Sequence, residues 1–206
     1  MAVRLYLVRH GETEWNKAGR IQGQQNPPLN ELGRRQAEMV AEYLAGLSAN
    51  YDQIYSSDLL RARQTAEAIA AKCNGRIVFR RELREQCFGV CEGFLVEEAR
   101  AKFGIDLRAY LRNPAGTTLP DGESLEAMGA RAAQFLAEVR GHEGQSVIVV
   151  SHGGLIKTLL TLILGMQLHY RNRLEIANAA VSVVSLAKTG DKVLALNLTH
   201  HLAQIS

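Results

Sequence analysis

The chain begins with a short apolar run that ends abruptly in polar residues. Residues 3–8 contain one charged side chain, Arg4, and are followed directly by Arg9-His10-Gly11. A run of this length and composition indicates a strand buried in a sheet, and the glycine after it permits a sharp turn. The pattern therefore predicts a strand whose carboxyl end places a guanidinium and an imidazole side by side.

A second apolar run, at residues 146–151, ends in the same way. It is followed by His152-Gly153-Gly154. Ligands of open α/β sheets bind beyond the carboxyl ends of the strands. Two strands that both end in His-Gly therefore predict one site that contains His10 and His152, with Arg9 beside them.

Strands and helices alternate in the first part of the chain. Further strands are predicted at residues 53–56 and 77–79. A helix is predicted before each of these strands. The first helix begins after Asn30 and the second after Asp58, and both residues are predicted as N-caps. Such alternation is typical of a parallel sheet with helices on both faces.

The pattern changes from residue 83 to residue 123, where only weak helices are predicted, at 95–103 and 107–112. Regular elements then return, namely a helix after Ser124, the strand at 146–151, a buried helix at 155–164 and a hairpin of residues 180–186 and 193–198. We therefore predict an α/β three-layer sandwich with a mostly parallel central sheet, helices on both faces, and a cap insertion over the carboxyl edge of the strands. Residues 1–206 are expected to form a single domain, with the cap at about 86–120.

The composition narrows the class of protein. With 47% hydrophobic and 22% charged residues and a net charge of +3, the chain is typical of a globular protein. The basic residues are dispersed and have no interleaved aromatic motif, which argues against nucleic-acid binding. No apolar run approaches the roughly 18 residues that span a bilayer, so no membrane association is expected. The three cysteines lack paired zinc spacing, which favours free thiols in a reducing compartment, and the cytoplasm is the expected location.

The strand ends carry side chains suited to binding phosphate. Two imidazoles without a third ligand make a poor zinc site, and the chain has no P-loop, dinucleotide-binding turn or nucleophile elbow. Neutral imidazole is a competent nucleophile toward phosphorus, and a neighbouring guanidinium binds phosphoryl oxygens and favours the unprotonated ring. Arg61 lies in the first turn of its predicted helix, where free N–H groups also favour an anion. We therefore expect a phosphate pocket.

Several motifs, in order along the chain, match one family. Arg9-His10-Gly11-Glu12-Thr13, followed by Trp15-Asn16, resembles the signature of the histidine phosphatase superfamily, also called the phosphoglycerate mutase-like family. The other segments that resemble the family pattern are Gln22-Gly23 with Pro28-Leu29, Gly33 with Gln36-Ala37, Ser56-Ser57-Asp58-Leu59 with Arg61-Ala62 and Thr65-Ala66, Leu83-Arg84-Glu85 with Gly89 and Glu92-Gly93, Pro120-Asp121-Gly122-Glu123-Ser124, and Val150-Ser151-His152-Gly153-Gly154.

The resemblance implies a role for each matched residue. His10 would attack phosphorus and become a phosphohistidine, and Glu85 would protonate the leaving alcohol and then activate the hydrolytic water. The groups implied around the phosphoryl oxygens are Arg9, Arg61 and His152 as catalytic residues, and Asn16, Gln22, Gly23 and Gly153 as substrate-binding residues. For Gln22, a contact with phosphate and a mere contact with solvent in its loop are equally expected. Because side-chain cations replace the Mg²⁺ of other phosphoryl transferases, no metal and no cofactor is expected.

The family contains both phosphatases and mutases, and the cap distinguishes them. Mutases that use a bisphosphate cofactor resemble this chain in the core but carry paired arginines and a proline-rich run in a longer insertion. Between Glu85 and Pro120 this chain has no paired arginines and one proline, Pro114. We therefore expect the phosphatase branch: a metal-independent phosphomonoesterase of the histidine acid-type, acting on a small phosphorylated metabolite. The alternatives are a cofactor-dependent phosphoglycerate mutase and a noncatalytic phosphate-binding regulator, and the presence of both His10 and Glu85 argues against the latter.

The cap is also expected to select the substrate. Its candidate specificity residues are Gln86, Phe88, Leu95 and Phe103. The resemblance suggests phosphoserine, α-ribazole phosphate, phosphoglycerate and sugar phosphates as substrates, and it is compatible with a homodimer. The pair His200-His201 near the end of the chain is expected to be structural or exposed.

Overall fold

The central sheet is the element that positions everything else. In the computed structural model, which describes residues 1–47, 50–112 and 118–203, the sheet has six strands. They are β1 (Val3–Arg9), β2 (Gln53–Ser57), β3 (Ile77–Arg80), β4 (Ser146–Ser151), β5 (Val181–Leu186) and β6 (Lys192–Leu198). Their order across the sheet is β3-β2-β4-β1-β5-β6, in which the first four are parallel and β5 runs antiparallel to both of its neighbours.

The helices follow the strands and cover the sheet. They are α1 (Glu14–Lys17), α2 (Glu31–Gly46), α3 (Leu60–Cys73), α4 (Val96–Phe103), α5 (Leu107–Arg112), α6 (Leu125–Val139) and α7 (Gly153–Ile163). Short 3₁₀ turns lie at Arg81–Leu83, Gly89–Cys91, Leu168–Arg173 and His200–Leu202. In the ranges that the structure describes, none of the helices has the length and apolar character needed to cross a membrane.

Alternate residues of β1 explain the three layers. Leu5 and Leu7 point to one face, where they join a buried cluster with residues of α6 and α7. Tyr6 and Val8 point to the other face and join a cluster with residues of α2 and α3. Because side chains alternate along a strand, an apolar strand of this kind is buried on both faces. The prediction of a mostly parallel central sheet with helices on both faces is confirmed.

The segment between the parallel strands and α6 has a small apolar cluster of its own. Its buried members are Cys91, Ala99, Leu107, Tyr110 and Leu119. They come from α4, α5 and the chain on either side of these helices, in the part of the sequence assigned to the cap. The single-domain organisation over residues 1–206 stays a prediction.

Local details differ from the prediction at the beginning of three helices. Asn30 caps α2 as expected, since its side chain accepts the Gly33 N–H (2.7 Å). Asp58 does not cap α3, which begins at Leu60; its carboxylate instead binds Arg84 through two hydrogen bonds of 2.6 and 2.5 Å. Charge-assisted pairing of this kind is stronger than a single neutral hydrogen bond.

The other two differences lie at the ends of β1 and β4. The chain after β1, in which no helix was predicted before Asn30, contains the four-residue helix α1, at whose start Thr13 and Asn16 form a capping box. Helix α7 begins at Gly153, two residues earlier than the apolar pattern indicated. The N-terminus of this helix is therefore brought directly to the end of β4.

A glycine in the first turn of α2 should be essential for packing. A Cβ on Gly33 would lie 2.0 Å from the Glu12 carbonyl oxygen, so Gly33→Ala should lower the free energy of unfolding by about 1–3 kcal/mol. At the other end of the same helix, nothing lies within 4 Å of a Cβ on Gly46. Gly46→Ala should therefore be neutral or stabilise by up to about 1 kcal/mol. Urea unfolding of the two variants checks this, and equal stabilities would contradict the close approach of α2 to Glu12.

Candidate active site

The two strand-end histidines lie side by side. β1 and β4 are parallel neighbours in which Arg9 is opposite Ser151, and the His10 N–H donates to the Ser151 carbonyl (2.9 Å). The next residues, His10 and His152, therefore leave the sheet together, and their ring centroids are 5.1 Å apart. The sequence-based expectation of two adjacent imidazoles agrees with this geometry.

Two hydrogen bonds determine the tautomer of His10. Its Nδ1 lies 2.7 Å from the Gly11 carbonyl oxygen, which can only accept, so Nδ1 carries the proton. Its Nε2 lies 3.2 Å from Arg61 Nε, which can only donate, so Nε2 presents its lone pair. The ring is neutral, and the unprotonated nitrogen is the one that faces the guanidinium.

Burial and nearby cations keep both imidazoles neutral. The pKa of His10 lies well below its ordinary value of 6.5, first because of burial and then because of Arg61 and Arg9. The hydrogen bond to Gly11 opposes this shift. The pKa of His152 is likewise lowered well below 6.5, by burial first and then by Arg61. His152 Nε2 is 2.8 Å from the Ser57 hydroxyl, whereas its buried Nδ1 has no partner among the described residues.

Arg61 anchors the loop that follows α1. This guanidinium is 1% exposed and donates to the carbonyl oxygens of Gly23 (2.8 Å) and Gln25 (2.7 Å) in addition to His10. Burial lowers its pKa to about 10, an effect that the charge of Glu85 opposes, so the group remains charged at neutral pH. The resemblance assigned this loop to phosphate binding, and its backbone is held against the Arg61 guanidinium.

A carboxylate from the cap segment holds the same loop from the opposite side. Glu92 Oε1 accepts the N–H groups of Gln24 and Phe88, both at 2.9 Å. Gly23 has a φ of +49°, and a Cβ there would lie 2.0 Å from Glu92 Oε1. Only glycine therefore allows both the turn and the approach of Glu92.

Arg9 and Asn16 complete the polar end of the site. One Arg9 nitrogen donates to the Ile176 carbonyl (2.7 Å), and its buried Nε has no partner among the described residues. The Asn16 side-chain oxygen accepts from Thr13 and from Asn178 (3.3 Å). Because this oxygen is already engaged, the Asn16 amide nitrogen is the atom that remains for a ligand.

Glu85 is held by the N-terminus of α7 and by its own loop. Its carboxylate accepts the N–H of Gly154 on Oε2 and the N–H of Gln86 on Oε1, both at 2.9 Å. A Cβ on Gly154 would lie 2.3 Å from Glu85 Oε1, so this approach requires glycine. Behind the loop, Arg131 donates to three carbonyls of the segment that carries Glu85, those of Glu82, Arg84 and Glu85.

These groups surround a cavity of about 200 Å³. Its lining residues are Arg9, His10, Asn16, Arg20, Ile21, Gln22, Gly23, Arg61, Glu85, Phe88, Leu107 and Leu111. One end is polar and cationic, and the other end is mostly apolar. Two of the expected site residues are not in the wall: His152 packs against the His10 ring, and a Cβ on Gly153 would be 3.4 Å from Arg9 Nε.

The structure revises the choice of specificity residues. Of the four cap residues proposed from sequence, Phe88 lines the cavity, while Gln86, Leu95 and Phe103 are not among its described lining residues. Gln86 is fully buried in hydrogen bonds, and Phe103 packs on the Phe94 ring. The apolar wall comes instead from Ile21, Leu107 and Leu111. Periodicity within a short helix does not show which side meets a distant strand end, so the sequence held no signal for these contacts.

The backbone of His10 is also held by hydrogen bonds from the segment that precedes β5. Asn178 Nδ2 and the Ala179 N–H both donate to the His10 carbonyl, at 3.0 and 3.2 Å. The Ala179 carbonyl in turn lies 3.0 Å from His201 Nε2. The structural role expected for the His200-His201 pair therefore fits His201, which connects the C-terminal segment through Ala179 to the His10 backbone. Asn178 was missed because a single asparagine before a strand is usually a turn residue.

The neutral buried histidines predict a loss of stability in acid. The pKa values of both histidines are lowered in the folded state, so the unfolded chain binds more protons than the folded chain as pH falls below 6.5. The free energy of unfolding therefore keeps the contribution of the neutral histidines above pH 6.5 and loses it progressively below that pH. Each histidine that stays neutral in the fold should cost up to about 2 kcal/mol at pH 5 relative to pH 7.5. His152→Asn should therefore lose less stability between these pH values than the wild type, whereas variant His200→Asn, at an exposed position, should match the wild type. Urea unfolding at both pH values measures this, and identical losses for His152→Asn and wild type would contradict a neutral buried His152.

Comparison with known proteins identifies the family. The model of the histidine phosphatase superfamily (branch 1) matches residues 5–199. Phosphoserine phosphatase 1 of Hydrogenobacter thermophilus is 37% identical over 203 residues, which cover 98% of this chain and 95% of that protein. A Photorhabdus laumondii protein named "Probable phosphoglycerate mutase GpmB" is 37% identical over 183 residues, covering 88% of this chain and 84% of that protein.

A solved structure agrees with these relatives. The mycobacterial glucosyl-3-phosphoglycerate phosphatase superposes with a TM-score of 0.86 at 29% identity, covering 97% of this chain and 100% of that chain. The matched region includes both strand-end histidines and the segment that carries Glu85. The chain therefore belongs to the histidine phosphatase superfamily.

Proposed function

We propose that the protein is a metal-independent phosphomonoesterase that hydrolyses a small phosphorylated metabolite through a phosphohistidine on His10. The observation that carries this proposal is the neutral His10 ring, whose Nε2 lone pair faces a cavity that Arg9 and Arg61 make cationic. Relatives named as phosphatases support it.

Substrate binding uses donors that have no other partner. Arg9 Nε and His152 Nδ1 are both buried and unpaired among the described residues. Arg9 lines the cavity, whereas His152 lies next to His10 outside the described wall, and phosphoryl oxygens that reach these two atoms would accept from them. Ser57 Oγ already accepts the Leu59 N–H (3.3 Å), which leaves its hydroxyl proton for His152 Nε2. The His152 Nδ1 then carries the ring proton and serves as a donor.

A bound phosphate also prepares the nucleophile. In the empty site, Arg61 Nε donates to the lone pair of His10 Nε2 (3.2 Å). An oxygen of the phosphoryl group competes for that N–H, and the lone pair then becomes available to phosphorus. The same guanidinium would stabilise the charge that shifts onto the oxygens during transfer.

The reaction follows in two displacements. His10 Nε2 forms a bond to phosphorus while the bond to the ester oxygen breaks, and protonated Glu85 gives its proton to the departing alcohol. Water then transfers a proton to Glu85 as it attacks phosphorus, the P–N bond breaks, and its electron pair returns to Nε2. Inorganic phosphate leaves, and both residues regain their starting states.

The apolar end of the cavity favours water as the acceptor. Besides Arg9 and Arg61, the cation among the described lining residues is Arg20, which is already bound to Glu98 (2.8 Å) and to the Gly93 carbonyl (2.9 Å). Such a wall offers little to retain the second phosphate of a bisphosphate. The alternative, a phosphoglycerate mutase, is favoured by the name that the Photorhabdus laumondii relative shares with several Yersinia relatives. Measuring phosphate release beside a mutase assay with bisphosphoglycerate distinguishes the two acceptors.

Removing the nucleophile should abolish the phosphoenzyme. Brief exposure of the wild type to labelled substrate in the presence of EDTA should trap acid-labile label on His10, and His10→Ala should carry none. Turnover by His10→Ala should fall by about 10³-fold or more. His169→Ala, which alters a histidine of the Leu168–Arg173 turn, is the control and should retain both labelling and turnover. Normal hydrolysis by His10→Ala, or activity that EDTA removes and Mg²⁺ restores, would overturn the proposal.

Replacing the acid should affect poor leaving groups most. Glu85→Gln keeps an oxygen for the Gly154 N–H but has no proton to transfer. Its kcat on propyl phosphate should fall by roughly 10²–10⁴-fold, and on 4-nitrophenyl phosphate by less than about tenfold, because nitrophenolate leaves without protonation. Equal losses on the two substrates would show that Glu85 is not the acid.

A further inference from the structure

A buried amide joins helix α5 to the loop that carries Glu85. Gln86, the next residue, is fully buried. Its Nε2 donates to the Tyr110 hydroxyl (2.7 Å) and to the Glu123 carbonyl (2.9 Å), and its Oε1 accepts from Arg171 (2.6 Å). The amide therefore makes one bond to α5, one to the segment before α6 and one to the Leu168–Arg173 turn.

This arrangement is costly unless every bond is made. A buried amide without partners loses its hydration, and an apolar side chain would fill the same space without that penalty. Arg171 is also buried, at 2% exposure, and donates weakly to Thr158 (3.5 Å) besides Gln86. The Nε of Arg171 has no partner among the described residues, but both polar atoms of the Gln86 amide are satisfied, and a satisfied buried amide favours one arrangement of the groups that it joins. The position of α5 relative to the Gln86 backbone is thereby fixed.

One end of this network reaches the Glu85 carboxylate. The Gln86 N–H donates to Glu85 Oε1 (2.9 Å), opposite the Gly154 N–H on Oε2. A shift of the Gln86 backbone would therefore turn the carboxylate relative to the cavity.

The other end reaches the cavity wall. Tyr110 lies on α5 between Leu107 and Leu111, both of which line the apolar end of the cavity. Asn172, next to Arg171, also donates to the Leu111 carbonyl. The helix that an organic group would press against is thus the helix whose tyrosine holds Gln86.

We propose that Gln86 and Tyr110 are positioning residues that connect occupancy of the apolar end of the cavity to the placement of the Glu85 carboxylate. The inference rests on the proposed function, because it requires Glu85 to be the acid. It means that an organic group contacting Leu107 and Leu111 raises kcat as well as binding affinity. Selectivity of this kind is expressed in the chemical step.

The test uses Tyr110→Phe, which removes one oxygen and keeps the buried ring. Its kcat on propyl phosphate should fall about tenfold with KM changed less than about twofold, and its loss on 4-nitrophenyl phosphate should be less than about twofold. In a Glu85→Gln background, Tyr110→Phe should cause no further loss on propyl phosphate, since the group it positions is no longer an acid.

The control is Tyr55→Phe. Tyr55 is as buried as Tyr110, at 5% against 6% exposed, and its hydroxyl contacts His142 (3.0 Å) away from the cavity. Tyr55→Phe should lower the free energy of unfolding in urea about as much as Tyr110→Phe does, and it should keep the wild-type kcat on both substrates. A drop in kcat for Tyr55→Phe that matches Tyr110→Phe would reduce the effect to general destabilisation and overturn the inference.

The outcomes separate the inference from the function on which it rests. Suppose first that Glu85→Gln shows the expected dependence on the leaving group. The inference is then overturned if Tyr110→Phe leaves kcat unchanged, or if it lowers kcat equally on propyl phosphate and 4-nitrophenyl phosphate. It is also overturned if Tyr110→Phe lowers kcat further in the Glu85→Gln background. If Glu85→Gln itself loses equally on both substrates, the acid role in the proposed function fails first, and the positioning role fails with it.

Discussion

The parallel pairing of β1 with β4 is the contact on which the whole site depends. It sets Arg9 opposite Ser151, so that the two residues that follow, His10 and His152, leave the sheet at the same level. A slip of one residue would move every side chain of a strand to the opposite face. The alternation of buried side chains in β1, which serve two separate cores, prevents such a slip. The same packing that stabilises the fold therefore fixes the separation of the two imidazoles.

The charge states of His10, Arg9 and Arg61 at the end of β1 depend on how deeply these side chains are buried. Burial is the main reason that the pKa of His10 is lowered, and the two guanidinium groups beside the ring lower it further, so the ring stays neutral. The Arg61 guanidinium is satisfied largely by backbone carbonyls, which do not cancel its charge. The cavity wall therefore carries the positive charges of Arg9 and Arg61, which these backbone carbonyls do not neutralise. Under the proposed function, a phosphate dianion would complement these charges, which also help to keep His10 unprotonated.

Much of the site could be predicted because its residues lie at ends of regular elements. A strand end is recognisable from the change between apolar and polar residues, and this located His10 and His152. The first turn of a helix is recognisable in the same way, and this located Arg61. These inferences needed only the periodicity of the chain and the rule that parallel strands present their carboxyl ends together. The resemblance to a family was needed to assign Glu85, which no periodic pattern singles out.

What could not be predicted depends on contacts between distant segments. Asp58 has the correct residue type and place for an N-cap, but a carboxylate can bind either an N–H group or a cation, and the sequence does not show that Arg84 is near. Gln86 was proposed as one of the cap residues that select the substrate, yet its side chain points into a buried network. The apolar wall of the cavity was missed for the same reason, since it depends on where α5 packs. Tertiary partners, and not local propensity, decide each of these cases.

The central claim is that phosphate passes through His10 and reaches water in two displacements. The most direct measurement is the stereochemical course at phosphorus, using a thiophosphate ester made chiral with oxygen isotopes and hydrolysed in isotopically labelled water. Each in-line displacement inverts the configuration, so transfer to His10 followed by transfer to water predicts overall retention. Overall inversion would show that water attacks the ester directly, and it would contradict the account of His10 as the nucleophile.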